Sequence, residues 1–399
     1  MPSGDCNTAN DIAAQLIPGC AFSVSPFLPT EKHLHEAGQR DILTGLTKFS
    51  RKAESLMRTL ILEQKMPTPE EIREAIPLTK QGEAAKKERD VQIADILTGR
   101  DNRLLLIIGP CSADREDAVL EYLTRMLPVQ EKVKDKILIV PRIYTNKPRT
   151  TGDGYKGIAS QPDPSERPDM VKGLLSVRHM HVRAVNETGF TCADEMLYPE
   201  NISYLDDVLS YHAVGARSVE NQQHRLVSSG IDVPVGMKNP TSGDISVMLN
   251  SITAAQHPHV FTFRDWQVQT KGNPLAHAIM RGSVNRYGEN IPNYHYEDLM
   301  RLYEAYAKKD LQNMAVIVDT NHSNSGKQYL QQVRIANEVL HSRRHSPELR
   351  GFVKGFMIES YLEDGAQKVG EGVYGKSITD PCLGWEKTER MIYGFAEQL

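Results

Sequence analysis

The sequence predicts an α/β fold, a closed (β/α)8 TIM barrel, and two observations carry that reading. Short apolar runs of four to seven residues recur from residue 103 onward, at 104–108, 137–140, 190–193, 213–216, 233–237, 277–280, 315–318 and 352–358. A helix-length stretch separates most of these runs from the next. Runs rich in Val, Ile and Leu that alternate with helical segments are the pattern of βα units on a parallel sheet, whose strands are buried on both faces. Eight of them suit a closed barrel; an open doubly wound sheet is the structural alternative.

The elements ahead of the barrel come in order. Residues 1–30 are mixed and punctuated by Gly, Pro and Ser, the composition of a poorly ordered extension. From 31 to 64 the pattern turns helical, with Leu43, Leu46, Leu56, Leu60 and Leu62 among charges. Thr68-Pro69-Glu70-Glu71 is a helix start, with Thr as cap, Pro in the first position and acids at the positive end. A second charged amphipathic helix is expected over 82–98. The organisation is therefore an N-terminal extension (1–64, partly disordered, then helical), a helical lead-in (65–102) and a catalytic barrel (103–399). Val260-Phe-Thr-Phe263 and Trp266, between the fifth and sixth runs, read as a short β-ribbon inserted before strand 6.

Composition narrows the class. A 399-residue chain that is 40% hydrophobic can bury one large core. Its net charge of −4 gives no footprint for nucleic acid or an anionic membrane, so any basic site must be local. No apolar run approaches the roughly 20 residues of a membrane helix. The N-terminus has no basic region followed by an apolar one, so no secretory signal is read. Five scattered cysteines suit reduced thiols in a cytoplasmic enzyme.

The residues just beyond each run are the informative ones. The runs lead into Cys111; Arg142 with Lys147, Arg149, Thr150 and Lys156; Asp194-Glu195; Arg217; Lys238; Arg281; Asp319 with His322; and Glu359. In a barrel the carboxyl ends of all strands converge on one mouth, where barrel enzymes keep their catalytic groups. Two sets then emerge. Arg142, Lys147, Arg149, Lys156, Arg217, Lys238 and Arg281 are an excess of cations in an acidic protein, suited to phosphate and carboxylate. Cys111, His322, Glu359 and the later Asp380 make a mixed S/N/O set suited to a divalent transition metal such as Mn2+, Fe2+, Co2+ or Zn2+. Taken singly, Cys111 reads equally as a core thiol, His322 as a turn histidine and Asp380 as a helix cap. Only their convergence makes a site.

The same residues carry a family signature. Gly109-Pro-Cys-Ser112, Lys147-Pro-Arg-Thr-Thr151, Gly215-Ala-Arg217, Pro234-Val-Gly-Met-Lys-Asn239, Ile279-Met-Arg-Gly282, His322-Ser-Asn-Ser-Gly-Lys-Gln328, Met357-Ile-Glu-Ser360 and Tyr374-Gly-Lys-Ser-Ile-Thr-Asp380 occur in order. Together they closely resemble type I 3-deoxy-D-arabino-heptulosonate-7-phosphate (DAHP) synthase, over roughly 93–385. The resemblance implies a metal-dependent condensation of phosphoenolpyruvate with erythrose 4-phosphate, the first step of the shikimate pathway, in a homo-oligomer (dimer or tetramer).

It puts the metal ligands on Cys111, His322, Glu359 and Asp380, and the phosphoenolpyruvate-binding cations on Arg149, Lys156, Arg217, Lys238 and Arg281. The Lys147–Thr150 segment becomes a contact to the sugar phosphate. Lys156 is the first candidate for proton transfer, with His322 and Glu195 behind it. The nearest alternative is the octulosonate 8-phosphate synthase, which takes arabinose 5-phosphate; a catalytically silent scaffold is the other.

Three departures mark a distinct branch. Ala113-Asp114-Arg115 stands where many members read Ile-His-Asp. Gly152-Asp-Gly-Tyr-Lys-Gly157 replaces Val-Gly-Trp-Lys-Gly, and Ser218-Val-Glu-Asn-Gln222 replaces Thr-Thr-Glu-Ser-Gln. Asp232, where feedback-sensitive relatives commonly carry Ser, and the short ribbon lead us to expect weak or absent inhibition by phenylalanine and tyrosine.

Overall fold

The computed structural model describes Thr59 and residues 61–399. The reading of 1–64 as disordered and then helical falls outside those residues, except at Thr59 and 61–64, where the chain forms no helix.

The lead-in begins at helix α1 (Pro69–Ala75), and the expected start is built as a capping box. Thr68 Oγ1 accepts from the Glu71 N–H at 3.2 Å while the Glu71 carboxylate accepts from the Thr68 N–H at 2.7 Å. Helix α2 (Lys80–Thr98) is capped by Thr79 and stopped by Gly99, whose φ of +80° is one that glycine adopts without strain.

Eight parallel strands come next: β1 (Leu104–Gly109), β2 (Ile137–Pro141), β3 (Cys192–Glu195), β4 (Leu209–Val214), β5 (Val235–Lys238), β8 (His277–Met280), β11 (Val316–Asp319) and β12 (Val353–Glu359). Their order in the sheet is β2-β1-β12-β11-β8-β5-β4-β3. A parallel bridge between Arg142 and Ala193 joins the two outer strands and completes the ring. Six helices lie on the crossovers and after the last strand: α3 (Glu116–Val133), α4 (Met170–Thr188), α5 (Gln222–Ser228), α6 (Ile245–Gln256), α7 (Tyr296–Ala307) and α11 (Trp385–Gln398). The one-turn α8 (His322–Ser325), α9 (Gln331–His345) and the short α10 (Pro347–Phe352) connect β11 to β12. The fold is the expected (β/α)8 barrel.

Alternation along each strand splits the core in two. On β1, Leu104, Leu106 and Ile108 pack with the helices, whereas Leu105 and Ile107 join Leu138, Val140, Tyr211, Ile279, Ile317 and Met357 inside the ring. Ile93, Ile96 and Leu97 of α2 belong to that inner cluster, so the lead-in helix seals the amino end of the barrel.

The inserted ribbon is present as β6 (Val260–Phe263) paired antiparallel with β7 (Trp266–Gln269), and Trp266 is exposed. A second ribbon, β9 (Ser283–Val284) with β10 (Asn290–Ile291), was not expected. Two strands lie away from their apolar runs: β3 is shifted toward Glu195 from the expected 190–193, and β4 begins four residues before the expected 213–216. Buried polar residues cause both shifts. Asp194 continues β3 because its carboxylate accepts from the Thr145 N–H and the Thr145 hydroxyl, and Ser210 and His212 lie within β4 as buried polar positions.

Candidate functional site

The carboxyl ends of the strands open on one cavity, with about 790 Å³ of space free of protein atoms. Cys111, Arg142, Lys147, Arg149, Glu195, Arg217, Lys238, Arg281, His322, Glu359 and Asp380 all line it. Thr150 and Lys156 do not. Thr150 is exposed and Lys156 half-buried, on a loop whose backbone Lys147 N–H donates to the Lys156 carbonyl at 3.0 Å.

The metal-type donors are placed by three elements and a long final loop. One donor atom each of Cys111, Glu359 and Asp380 lies within 4.8 Å of the others. His322 is a little apart, its Nε2 3.9 Å from Glu359 Oε1. Its φ of +42° is unusual for a non-glycine residue and turns the chain sharply after β11. The ring is held from behind, Nδ1 lying 2.8 Å from Asp319 Oδ2, which directs Nε2 toward Glu359. A carboxylate behind an imidazole is the usual support of a metal-binding histidine.

The donor set also carries an unmet demand. Glu359 Oε1 is buried and accepts no hydrogen bond. The Lys147 ammonium lies 2.9 Å from Cys111 Sγ and 3.0 Å from Asp380 Oδ2, and Lys327 lies 2.8 Å from Asp380 Oδ1. A buried thiol and two carboxylates beside an imidazole fit a divalent cation, and cations are what the cluster has gathered.

Charge is set by this arrangement. Burial, then the Glu359 charge, pushes the Cys111 thiol up. Burial opposes the Lys147 ammonium, but Cys111, Asp380 and Glu359 outweigh it and hold its pKa above the usual lysine value. Burial also opposes the Asp380 carboxylate, and Lys147 and Lys327 reverse the balance, keeping it ionised. His322 is pushed down, chiefly by burial, so its ring is neutral at pH 7.

The cationic half lies alongside. Arg142 is buried, with Nη2 3.2 Å from the Cys111 carbonyl and 3.3 Å from Glu359 Oε1, and its guanidinium stacks 3.8 Å from the centre of the Tyr144 ring. Lys238 sits between Glu195 Oε2 (3.5 Å) and Asp319 Oδ2 (3.6 Å). Gly215 lets its strand end pass the Glu195 side chain, since a Cβ there would meet Oε1 at 2.6 Å. Arg142 Nε, Arg142 Nη1 and Arg281 Nη1 are buried donors without an acceptor. Buried polar groups are nearly always paired, so three unpaired guanidinium donors at one cavity call for an anion.

The comparisons with known proteins meet this geometry. The profile described as the DAHP synthetase I family matches residues 75–392. The chain belongs to that family. It is 37% identical over 339 residues to a phospho-2-dehydro-3-deoxyheptonate aldolase of Haemophilus influenzae, covering 83% of this chain and 90% of the relative. It is 36% identical to the Tyr-sensitive enzyme of that name from Escherichia coli, over 83% of this chain and 92% of the relative. A solved structure of the aldolase from Francisella tularensis superposes with a TM-score of 0.78 at 32% identity, covering 84% of this chain and 97% of that one. Among the described residues, no helix is long and apolar enough to cross a membrane.

For a DAHP synthetase I chain, sequence reasoning left three contributors unassigned. Tyr144 stacks on Arg142, Asp319 supports His322, and Lys327 neutralises Asp380. The second was signalled by an acid three residues ahead of a ligand-type histidine. The first had no signal in sequence.

Proposed function

We propose that this chain condenses phosphoenolpyruvate with D-erythrose 4-phosphate and water, giving 3-deoxy-D-arabino-heptulosonate 7-phosphate and inorganic phosphate. The observation that carries the reading is a cavity holding a thiol–carboxylate donor cluster beside buried guanidinium groups with unpaired donors. Cys111, His322, Glu359 and Asp380 would hold the ion: Mn2+, Fe2+, Co2+ or Zn2+. When bound, the ion supplies Lewis acidity for the aldehyde oxygen of the sugar.

The protein's own groups do the rest. Arg149, Lys156, Arg217, Lys238 and Arg281, with Arg142, bind and orient phosphoenolpyruvate. Lys147, Arg149 and Thr150 contact the sugar phosphate. C3 of the enol phosphate bonds to the aldehyde carbon using the C=C electron pair, water adds at C2, and the hemiketal phosphate collapses by C–O cleavage to release phosphate. Protons are needed at the new alkoxide and must leave the water. Lys156, His322 and Glu195 are the proposed carriers; Glu195 lies at the cavity wall, 3.5 Å from Lys238.

The wider reading is a cytoplasmic homo-oligomer, dimer or tetramer, with small-molecule substrates and no nucleic-acid or membrane partner. Its parts are the extension (1–64), the helical lead-in (65–102) and the catalytic barrel (103–399).

The test is phosphate release from phosphoenolpyruvate, with erythrose 4-phosphate and arabinose 5-phosphate as competing acceptors. Activity is expected with the four-carbon sugar, to vanish with chelator and to return with Mn2+. Preference for arabinose 5-phosphate, or indifference to chelator, would contradict the reading. Lys238→Ala removes one charge-assisted contact, normally about 1.5–3 kcal/mol, so the KM for phosphoenolpyruvate should rise about tenfold or more. An unchanged KM would remove Lys238 from the binding set.

A further inference from the structure

The chain leaves the sheet just before it enters the cavity wall. At the end of β2, the Arg142 N–H donates to the Ile108 carbonyl at 3.0 Å and the Ile143 N–H to the Ala193 carbonyl at 2.9 Å. The next bond back to β3 goes to a side chain instead. Thr145 N–H donates to Asp194 Oδ1 at 2.9 Å, and the Thr145 hydroxyl donates to Asp194 Oδ2. Oδ1 also accepts from the Glu195 N–H at 2.7 Å. His181 Nε2 stands 3.9 Å from Oδ2, beyond hydrogen-bond reach, so Thr145 and Glu195 supply these bonds. On its other side Thr145 meets only the following loop, its carbonyl accepting from the Ala159 N–H at 3.0 Å. Asp194 is therefore what ties Thr145 to the barrel.

Asp194 is 3% exposed and Thr145 is fully buried. Neither lines the cavity, yet the residues that directly follow each of them, Asn146 with Lys147 and Glu195, do. The direction of the bonds is forced. A carboxylate only accepts, so the Thr145 hydroxyl gives its proton to Asp194 and its oxygen accepts from Asn146 Nδ2, at 3.3 Å. Two residues past Thr145, Lys147 carries its ammonium to 2.9 Å from Cys111 Sγ and 3.0 Å from Asp380 Oδ2. A lysine stem is flexible, so the place of that ammonium depends on the backbone that launches it.

We propose that Asp194 is a positioning residue: it straps Thr145 to the end of β3 and so fixes Asn146 and Lys147 in the cavity wall, where Lys147 meets the sugar phosphate. The functional half rests on the role proposed above for Lys147.

Thr145→Val, Thr145→Ser and Asp194→Asn, with the Val/Asn double variant, test this in the full-length metal-loaded protein. Amide hydrogen exchange of a peptide covering 143–149 reads the strap without calling on catalysis. Thr145→Val and Asp194→Asn are each expected to speed that exchange about fivefold to tenfold, the effect of one lost hydrogen bond, and to leave peptides from β1 and β12 unchanged. The double variant should go no further than either single one, because both remove the same interaction. Thr145→Ser keeps the hydroxyl and should stay within about twofold of the parent. In the phosphate-release assay the KM for erythrose 4-phosphate should rise about fivefold to tenfold in Thr145→Val, with the KM for phosphoenolpyruvate and kcat within about twofold, the pattern of lost uniform binding of one substrate. Thr145→Ser should restore it. Thr145→Val keeps the side chain's volume, so it reports even if Asp194→Asn fails to fold. Unaltered exchange over 143–149, exchange raised equally in β1 and β12, or an erythrose 4-phosphate KM that Thr145→Val leaves unchanged in an active enzyme overturns the proposal. If the parent releases no phosphate while exchange responds as expected, the activity assignment falls and the strap stands.

Discussion

A Cys111→Ser protein is expected to emerge from purification without its metal and to release phosphate at least about a hundredfold more slowly than the parent. Loss of a mere supporting group around a metal commonly costs 10–100-fold, and a direct ligand should cost more. The hydroxyl is smaller than the thiol and stays protonated, so it offers a divalent ion neither the charge nor the polarisable sulfur. The fold should survive. Cys111 is buried, serine is close in volume, and Lys147 and the Cys382 thiol remain next to position 111. Elemental analysis after gel filtration, with a melting curve on the same sample, separates lost metal from lost fold. A serine variant that keeps a full equivalent of metal would remove Cys111 from the ligand set.

The second large effect is on stability. Arg142 is 1% exposed and its guanidinium lies 3.3 Å from Glu359 Oε1, an oxygen with no hydrogen bond of its own. Arg142→Met would keep much of the bulk over Tyr144 but leave the Glu359 charge buried without its nearest cation. Breaking a buried pair in this way costs about 3–5 kcal/mol. Adding Glu359→Gln removes the stranded charge, so the double variant should recover part of that loss. Urea titrations of metal-free protein measure both values, provided the transition slope is unchanged. A loss below about 1 kcal/mol for Arg142→Met would mean that other groups hold the Glu359 charge, because an unpaired buried charge costs more than that.

How far the sequence reached can be judged from particular elements. β1 extends its run by one residue, because it is a continuous apolar run buried on two faces, and β8 falls on 277–280 as expected although it opens on the buried His277. β3 and β4 slipped because apolar-run reading stops at a polar residue, and Asp194, Ser210 and His212 are polar residues inside strands. Thr145, from another strand end, partners Asp194, whereas Ser210 Oγ and His212 Nε2 lie buried without a hydrogen-bond partner. The ribbon at β6–β7 was legible from its aromatic alternation; two-residue strands such as β9 and β10 carry no pattern to read. Strand ends named most of the charged side chains at the cavity, since barrel topology alone gathers them. Lys156 and Thr150 stayed outside it, because they lie on a loop whose path is set by Tyr155 and by backbone contacts rather than by a strand. Tyr144 was invisible: nothing in sequence tells a stacked tyrosine from a core one.

Everything functional depends on four residues, far apart in the chain, sharing one ion. Anomalous diffraction from crystals grown with Mn2+ tests this most directly. The account expects one strong peak at roughly 2.0–2.4 Å from Cys111 Sγ, His322 Nε2 and a carboxylate oxygen each of Glu359 and Asp380. A peak bound by only two of them, or no peak at the barrel mouth in protein that is active without metal, would contradict it.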